Sequence, residues 1–128
     1  MSTFRVGITS DVLMSNGQPI FGTEVLHLLD DPAVTWEYMG PDSGEITPAH
    51  AARYDAICAM TTRLTAHSLS GSDRRLKLVA RFGVGYDSID VPACTRANVL
   101  LTIAPDGVRR PVATSALTFV LMLAQKVL

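Results

Sequence analysis

Short apolar or alternating runs, each followed by a polar turn, recur along the chain. Phe4-Arg5-Val6-Gly7-Ile8-Thr9 alternates ahead of Ser10-Asp11 and predicts a first strand. Phe21, Val25, Leu28 and Leu29 then fall at helical spacing, which predicts a helix over Phe21 to Leu29, ended by Asp30-Asp31-Pro32 because a residue preceding proline is pushed out of the α region. Val34 to Met39 reads as a second strand, Gly40 to Gly44 as a loop, and Thr47-Pro48 as the capped start of a short helix. Asp55 to Met60 is mostly apolar, as a strand buried on both faces must be, and is expected at the centre of a sheet. Thr65 can cap a helix over Ala66 to Arg75, and Lys77 to Phe82 forms a fourth strand. Asp90 can cap a helix that Asn98 closes, Val99 to Ile103 forms a fifth strand, and a last helix is expected to open at Pro111.

Strands taking turns with helices imply an α/β fold with a parallel sheet and right-handed crossovers. The expected architecture is a doubly wound, five-stranded, flavodoxin-like sheet with a long C-terminal helix. Ligands of such sheets bind beyond the carboxyl ends of the strands, which draws attention to Ser10-Asp11, Met60-Thr61-Thr62, Gly83-Val84-Gly85 and Ala104-Pro105-Asp106-Gly107.

Composition narrows the function. At 128 residues and 48% hydrophobic the chain can bury a core, and its formal charge of −1 argues against a nucleic-acid-binding surface. Neither a signal peptide nor an apolar stretch long enough to span a membrane is present, so a cytoplasmic protein is expected. Cys58 and Cys94 stand far apart without a C-x-x-C partner, which gives no reason to expect a disulfide framework or a metal site. His27, His50 and His67 lack an evident carboxylate partner and read as surface histidines. Met39, Met60 and Met122 read as core or cleft-wall residues, and Trp36 as packing.

The turn Gly83-Val84-Gly85 carries the chemistry. Two glycines one residue apart let the backbone turn sharply and present consecutive N–H groups to an anion. A tight strand-to-helix turn without a ligand is the plain alternative. The turn is not a dinucleotide fingerprint, because Ser88 stands where the third glycine is needed and Leu101 to Ile103 where the acidic residue is needed.

The run from Leu76 through Arg81-Phe82-Gly83-Val84-Gly85-Tyr86-Asp87-Ser88-Ile89-Asp90 to the Asn98-Val99 turn resembles the N-terminal signature of the D-isomer-specific 2-hydroxyacid dehydrogenases. The likeness continues through Ile103 to Gly107 and into Val112 to Leu117, which is similar to the start of that family's interdomain helix. It implies that the Val84 and Gly85 amides, at the turn begun by Gly83, receive a substrate carboxylate and that Met60 and Thr61 form the opposite wall of the cleft. It also implies cofactor-side contacts at Val84, Val112 and Thr114, with NAD or NADP as cofactor and a small 2-hydroxy or 2-oxo acid as substrate. Ala59-Met60 replaces the Arg-Ser that some phosphohydroxyacid relatives carry, and Thr114 replaces a common glutamate. Arg109 and Arg110, expected just before the last helix, read either as anion contacts or as solvated loop residues.

In that family the G-x-G-x-x-G motif and the catalytic arginine, acid and histidine follow the interdomain helix, and no such motifs occur in this chain. The resemblance therefore implies a substrate-binding domain over residues 1–110 and an interdomain helix over 111–128 leading to a missing cofactor domain, with no catalytic residue in this chain and no hydride transfer by the chain alone. Tight cofactor binding by the chain alone is not expected. The competing expectation is a stand-alone small-carboxylate-binding or dimerisation module that pairs with a second copy through the 111–128 helix. A phospho-receiver domain fits poorly, because Met60 stands where an acid is required and Ala104-Pro105 where a lysine is.

Overall fold

The computed structural model describes residues 3–40 and 44–127; residues 41–43 of the expected Gly40 to Gly44 loop, and Leu128, lie outside that set. Five parallel strands, β1 Phe4–Ile8, β2 Val34–Tyr38, β3 Ala56–Ala59, β4 Leu78–Arg81 and β5 Leu100–Thr102, are ordered β2-β1-β3-β4-β5. This is the flavodoxin-like order, and β3 is central as its apolar run requires.

The register sets Trp36, Val6, Ala56, Leu78 and Leu100 side by side in one row across the sheet. Alternation sends Ile57, Ala59 and Val79 to the other face. There they are wholly buried, in one cluster with Ala51 of α1 (Pro48–Arg53) and Ala93 and Cys94 of α2 (Val91–Arg96). The Val6 row is covered unevenly: Val6 and Ala56 are buried, Leu78 is half-buried and Leu100 is 63% exposed. Gly7 is required on the clustered face, because a Cβ there would come within 2.9 Å of the Tyr54 ring and 3.0 Å of the Met39 sulfur.

Both short helices start as their sequences dictate. The Thr47 side chain accepts the His50 N–H at 3.3 Å while His50 Nδ1 accepts the Thr47 N–H, so His50 completes a cap. Asp90 accepts the Ala93 N–H at 2.8 Å, and Asn98 closes α2 with φ of +52°.

Three expected helices differ. Phe21 to Leu29 is not an α-helix; only a 3₁₀ turn at Leu26–Leu29 forms. Gly22 adopts φ of +78° and interrupts the run, Val25 and Leu28 stay exposed, Leu28 at 77%, and Phe21 packs separately against the Phe82 ring with centroids 5.1 Å apart. The helix expected over Ala66 to Arg75 is likewise reduced to a 3₁₀ turn at His67–Leu69, where the Thr65 N–H donates to Ser68 Oγ at 2.9 Å in a local side-chain turn.

The last helix, α3, runs over Pro105–Ala124 and so begins six residues before Pro111. Pro105 takes the first-turn position, Asp106 favours the positive end, and Pro111 lies inside the helix. An interior proline costs about 3 kcal/mol. Here the carbonyl it leaves unpaired belongs to Gly107, on an exposed helix where water can serve it. Lys126, with φ of +50°, ends the element, and the Val127 N–H donates to the Met122 carbonyl at 3.0 Å, a closing turn that the sequence reading lacked. No residue of α3 is buried. Among the described residues no helix is long and apolar enough to cross a membrane.

Candidate functional site

The carboxyl ends of β1, β3 and β4 meet at one edge of the sheet. After β4 the chain enters Gly83 with φ of +124°, a conformation that L side chains rarely adopt, so the glycine is a backbone requirement. Its carbonyl accepts the Ala104 N–H at 2.8 Å, which ties the turn to the start of α3. Among the described residues the N–H groups of Gly83, Val84 and Gly85 have no protein acceptor, and Val84 and Gly85 are exposed. Unpaired amides in succession on a partly exposed turn are what a carboxylate needs.

Arg81 ends β4 beneath this turn, a residue the sequence reading passed over. Its guanidinium donates to the Phe82 carbonyl and would lie 3.4 Å from a Cβ on Gly83, while its Nε is buried without a partner. The available signal was a charged residue at the carboxyl end of a buried parallel strand. A cleft of about 220 Å³ is lined by Thr61, Arg81, Gly85, Asp87 and Ser88. It brings Thr61 and Gly85 together across the gap; Met60 is half-buried beside it and does not line it.

The loop after β3 is built differently. Asp11 Oδ2 accepts the Thr61 N–H at 2.6 Å, the Thr61 hydroxyl at 2.8 Å, the Thr62 N–H at 2.9 Å and the Thr62 hydroxyl at 3.0 Å. Its other oxygen accepts the Thr9 hydroxyl at 2.5 Å. Burial works to raise the Asp11 pKa, but these hydrogen bonds outweigh it and hold the carboxyl below its ordinary range.

On the other side of the turn, Val84 joins Pro105, Val108, Arg109, Val112, Ala113 and Ala116 around an apolar groove of about 390 Å³. Val84 and Val112 therefore meet, whereas Thr114, roughly 200° around the helix from Val112, does not line the groove. Arg109 and Arg110 lie within α3 rather than before it, and Arg109 pairs with Asp106 at 3.3 Å on an exposed surface. A roomier cavity, about 460 Å³, opens at the β1–β2 edge near Arg5, Trp36, Arg53 and Tyr54, away from the strand ends. Its acid is already engaged, since Glu37 accepts from Arg53 at 2.7 Å and from the Tyr54 hydroxyl at 2.8 Å. Burial pushes the thiols of Cys58 and Cys94 up, away from the reactive thiolate form. No cluster of potential metal ligands occurs among the described residues.

Residues 12–116 match the model of the D-isomer specific 2-hydroxyacid dehydrogenase catalytic domain. The chain belongs to this family. Among curated 2-hydroxyacid dehydrogenases, the D-3-phosphoglycerate dehydrogenase of Synechocystis sp. is 28% identical over 97% of the chain and 22% of its own length. The glyoxylate reductase of Thermococcus onnurineus is 33% identical over 70% of the chain and 26% of its own length. The D-lactate dehydrogenase of Aquifex aeolicus, solved with NAD and lactic acid, superposes with a TM-score of 0.66 at 25% identity, covering 92% of the chain and 33% of that structure. The chain thus spans about a quarter of the length of these curated dehydrogenases.

Proposed function

We propose that this chain is the substrate-binding portion of an NAD(P)-dependent oxidoreductase that interconverts small 2-hydroxy and 2-oxo acids. The observation that carries the reading is the run of unpaired amides at Gly83, Val84 and Gly85 beside the Arg81 guanidinium, at the carboxyl end of a parallel strand. Val84 and Gly85 donate to the substrate carboxylate, Arg81 adds positive potential, and Thr61 forms the facing wall. Ala59 is buried in β3 and Met60 follows it, so the wall offers no guanidinium for a phosphate there; this favours an unphosphorylated acid.

The groove where Val84 meets Val112 suits the apolar face of a nicotinamide, and these two residues would contact it. NAD or NADP, when bound, supplies or accepts the hydride. Nothing in residues 1–110, the substrate-binding domain of this reading, supplies a dinucleotide fingerprint, so the cofactor is held by a further domain to which the 111–128 segment leads. A reducing, cytoplasmic setting accords with two unpaired cysteines.

Two measurements test the proposal. Glyoxylate, pyruvate or hydroxypyruvate should shift the backbone amide resonances of Val84 and Gly85 in the 128-residue chain; acids that leave these amides unmoved would sink it. Mixing the same chain with NADH and glyoxylate should leave the nicotinamide absorbance constant, and stereospecific turnover would overturn the division of labour. The exposed apolar surface of α3, with Val112, Phe119 and Val120 each more than 60% exposed, supports a second reading as a dimerisation module. Light scattering separates them: a discrete dimer favours the module, and polydisperse association favours a helix that lacks its neighbouring domain.

A further inference from the structure

Three consecutive N–H groups in the loop after β3 converge on two side chains from the end of β1. The Met60 N–H donates to Thr9 Oγ1 at 3.3 Å, and the Thr61 and Thr62 N–H groups donate to Asp11 Oδ2 at 2.6 and 2.9 Å. Successive amides arranged in this way form a concavity suited to an anion. We propose that Asp11 is an internal anion that fills this concavity, fixes the wall of the cleft, and confines an incoming carboxylate to the Gly83–Gly85 turn.

Several independent features of the site fit this role. Thr9 is fully buried and Thr62 is 3% exposed, so the partners that aim the carboxylate are themselves held by packing. The Thr9 hydroxyl accepts from Met60 and donates to Asp11 Oδ1 at 2.5 Å, which joins the two acceptors into one unit. The Thr61 N–H and hydroxyl both point to Asp11, although Thr61 lines the cleft. A substrate carboxylate approaching this wall therefore meets donors already satisfied by Asp11, whereas the turn after β4, flanked by Arg81 and Asp87, presents donors with no acceptor among the described residues. Asp11 is accordingly a positioning residue: it acts on the substrate through the loop it holds. The filled concavity stands on its own geometry, and only the consequence for the substrate rests on the function proposed above.

Chemical rescue tests it on the 128-residue chain. Asp11→Ala removes the carboxylate, and sodium formate supplies a carboxylate of matching size. Formate should shift the amides of Met60, Thr61 and Thr62 in the Asp11→Ala variant and raise its melting temperature, while leaving those amides unmoved in the parent chain. Formate that moves them equally in the parent, or moves them in neither, would overturn the proposal. Should Asp11→Ala fail to fold, Asp11→Asn keeps the shape but turns an N–H₂ group toward converging donors. Hydrogen exchange at Thr61 and Thr62 should then quicken by roughly tenfold or more, and unchanged exchange would overturn the assignment. Glyoxylate acting at Val84 and Gly85 reports separately on the proposed function. If it is silent there while formate rescues Asp11→Ala, the functional reading falls and the internal anion stands.

Discussion

The loop after β3 and the turn after β4 end neighbouring parallel strands, yet they treat their amides in opposite ways. The first directs its N–H groups inward onto Thr9 and Asp11, and the second leaves Gly83, Val84 and Gly85 without an acceptor among the described residues. An unpaired donor is tolerable only where water or a ligand reaches it, so the exposed turn can remain open while the packed loop must be satisfied from within. In the proposed function one side of the cleft is a wall closed by internal hydrogen bonds and the other is the receptor. The difference arises from β1, which delivers an acid to one loop and nothing to the other.

The largest expected effect comes from closing the open side. Gly83→Val forces a branched residue into φ of +124°. It should destabilise the chain by about 1–3 kcal/mol, read as a lower urea midpoint. It should also abolish the glyoxylate response of Val84 and Gly85, and an unchanged midpoint would mean that the turn is not strained.

Opening the closed side should cost somewhat less. Asp11→Asn replaces an acceptor of five hydrogen bonds. A loss of about 1–2 kcal/mol is expected in denaturant titrations, at the low end for charged acceptors because the carboxylate keeps solvent contact. Stability equal to the parent chain would remove Asp11 from the role of clamp.

The same pair sharpens the comparison through pH. The Asp11 pKa is depressed in the folded chain, so its contribution is complete above the unfolded carboxyl range, near pH 3.9, and is lost as pH falls through the lower folded value. Asp55 and Glu37 are depressed too and keep an acid limb in any variant. The parent should therefore lose stability more steeply than Asp11→Asn as pH falls below about 4. Parallel acid limbs would contradict the shift.

The smallest effects separate individual donors. Thr62→Val should lose about 1 kcal/mol and the exposed Thr61→Val less, whereas Ser88→Ala, across the cleft and with no side-chain hydrogen bond among the described residues, should stay within about 0.5 kcal/mol of the parent. A Ser88→Ala loss as large as that of Thr62→Val would erase the distinction between the two sides.

Local chemistry was legible residue by residue. All five strand runs stand where their alternation or apolar character places them, and Thr47 and Asp90 cap the helices that their side chains can reach. Each of those outcomes is decided within a few positions of the chain. The helix start was less legible because Pro105 and Pro111 are equally suited to a first turn, and only the anchoring of Ala104 to Gly83 across the sheet edge selects the earlier one. Phe21 to Leu29 has helical spacing, but Val25 and Leu28 stay exposed while Phe21 packs on Phe82 outside any helix, so periodicity alone misleads there.

The glycine turn could be recognised from its own residues, because left-handed backbone and exposed amides are local properties of Gly83-Val84-Gly85. Asp11 could not, since its partners Thr61 and Thr62 lie fifty residues away and a carboxylate after a first strand carries no mark of what it will meet. Arg81 differs: its contacts with Phe82 and Gly83 are local, and what parallel pairing adds is Thr61 facing it across the cleft. What neighbouring residues can satisfy was written in the primary chain. What distant groups had to satisfy was decided only when parallel pairing brought the ends of β1, β3 and β4 to one edge.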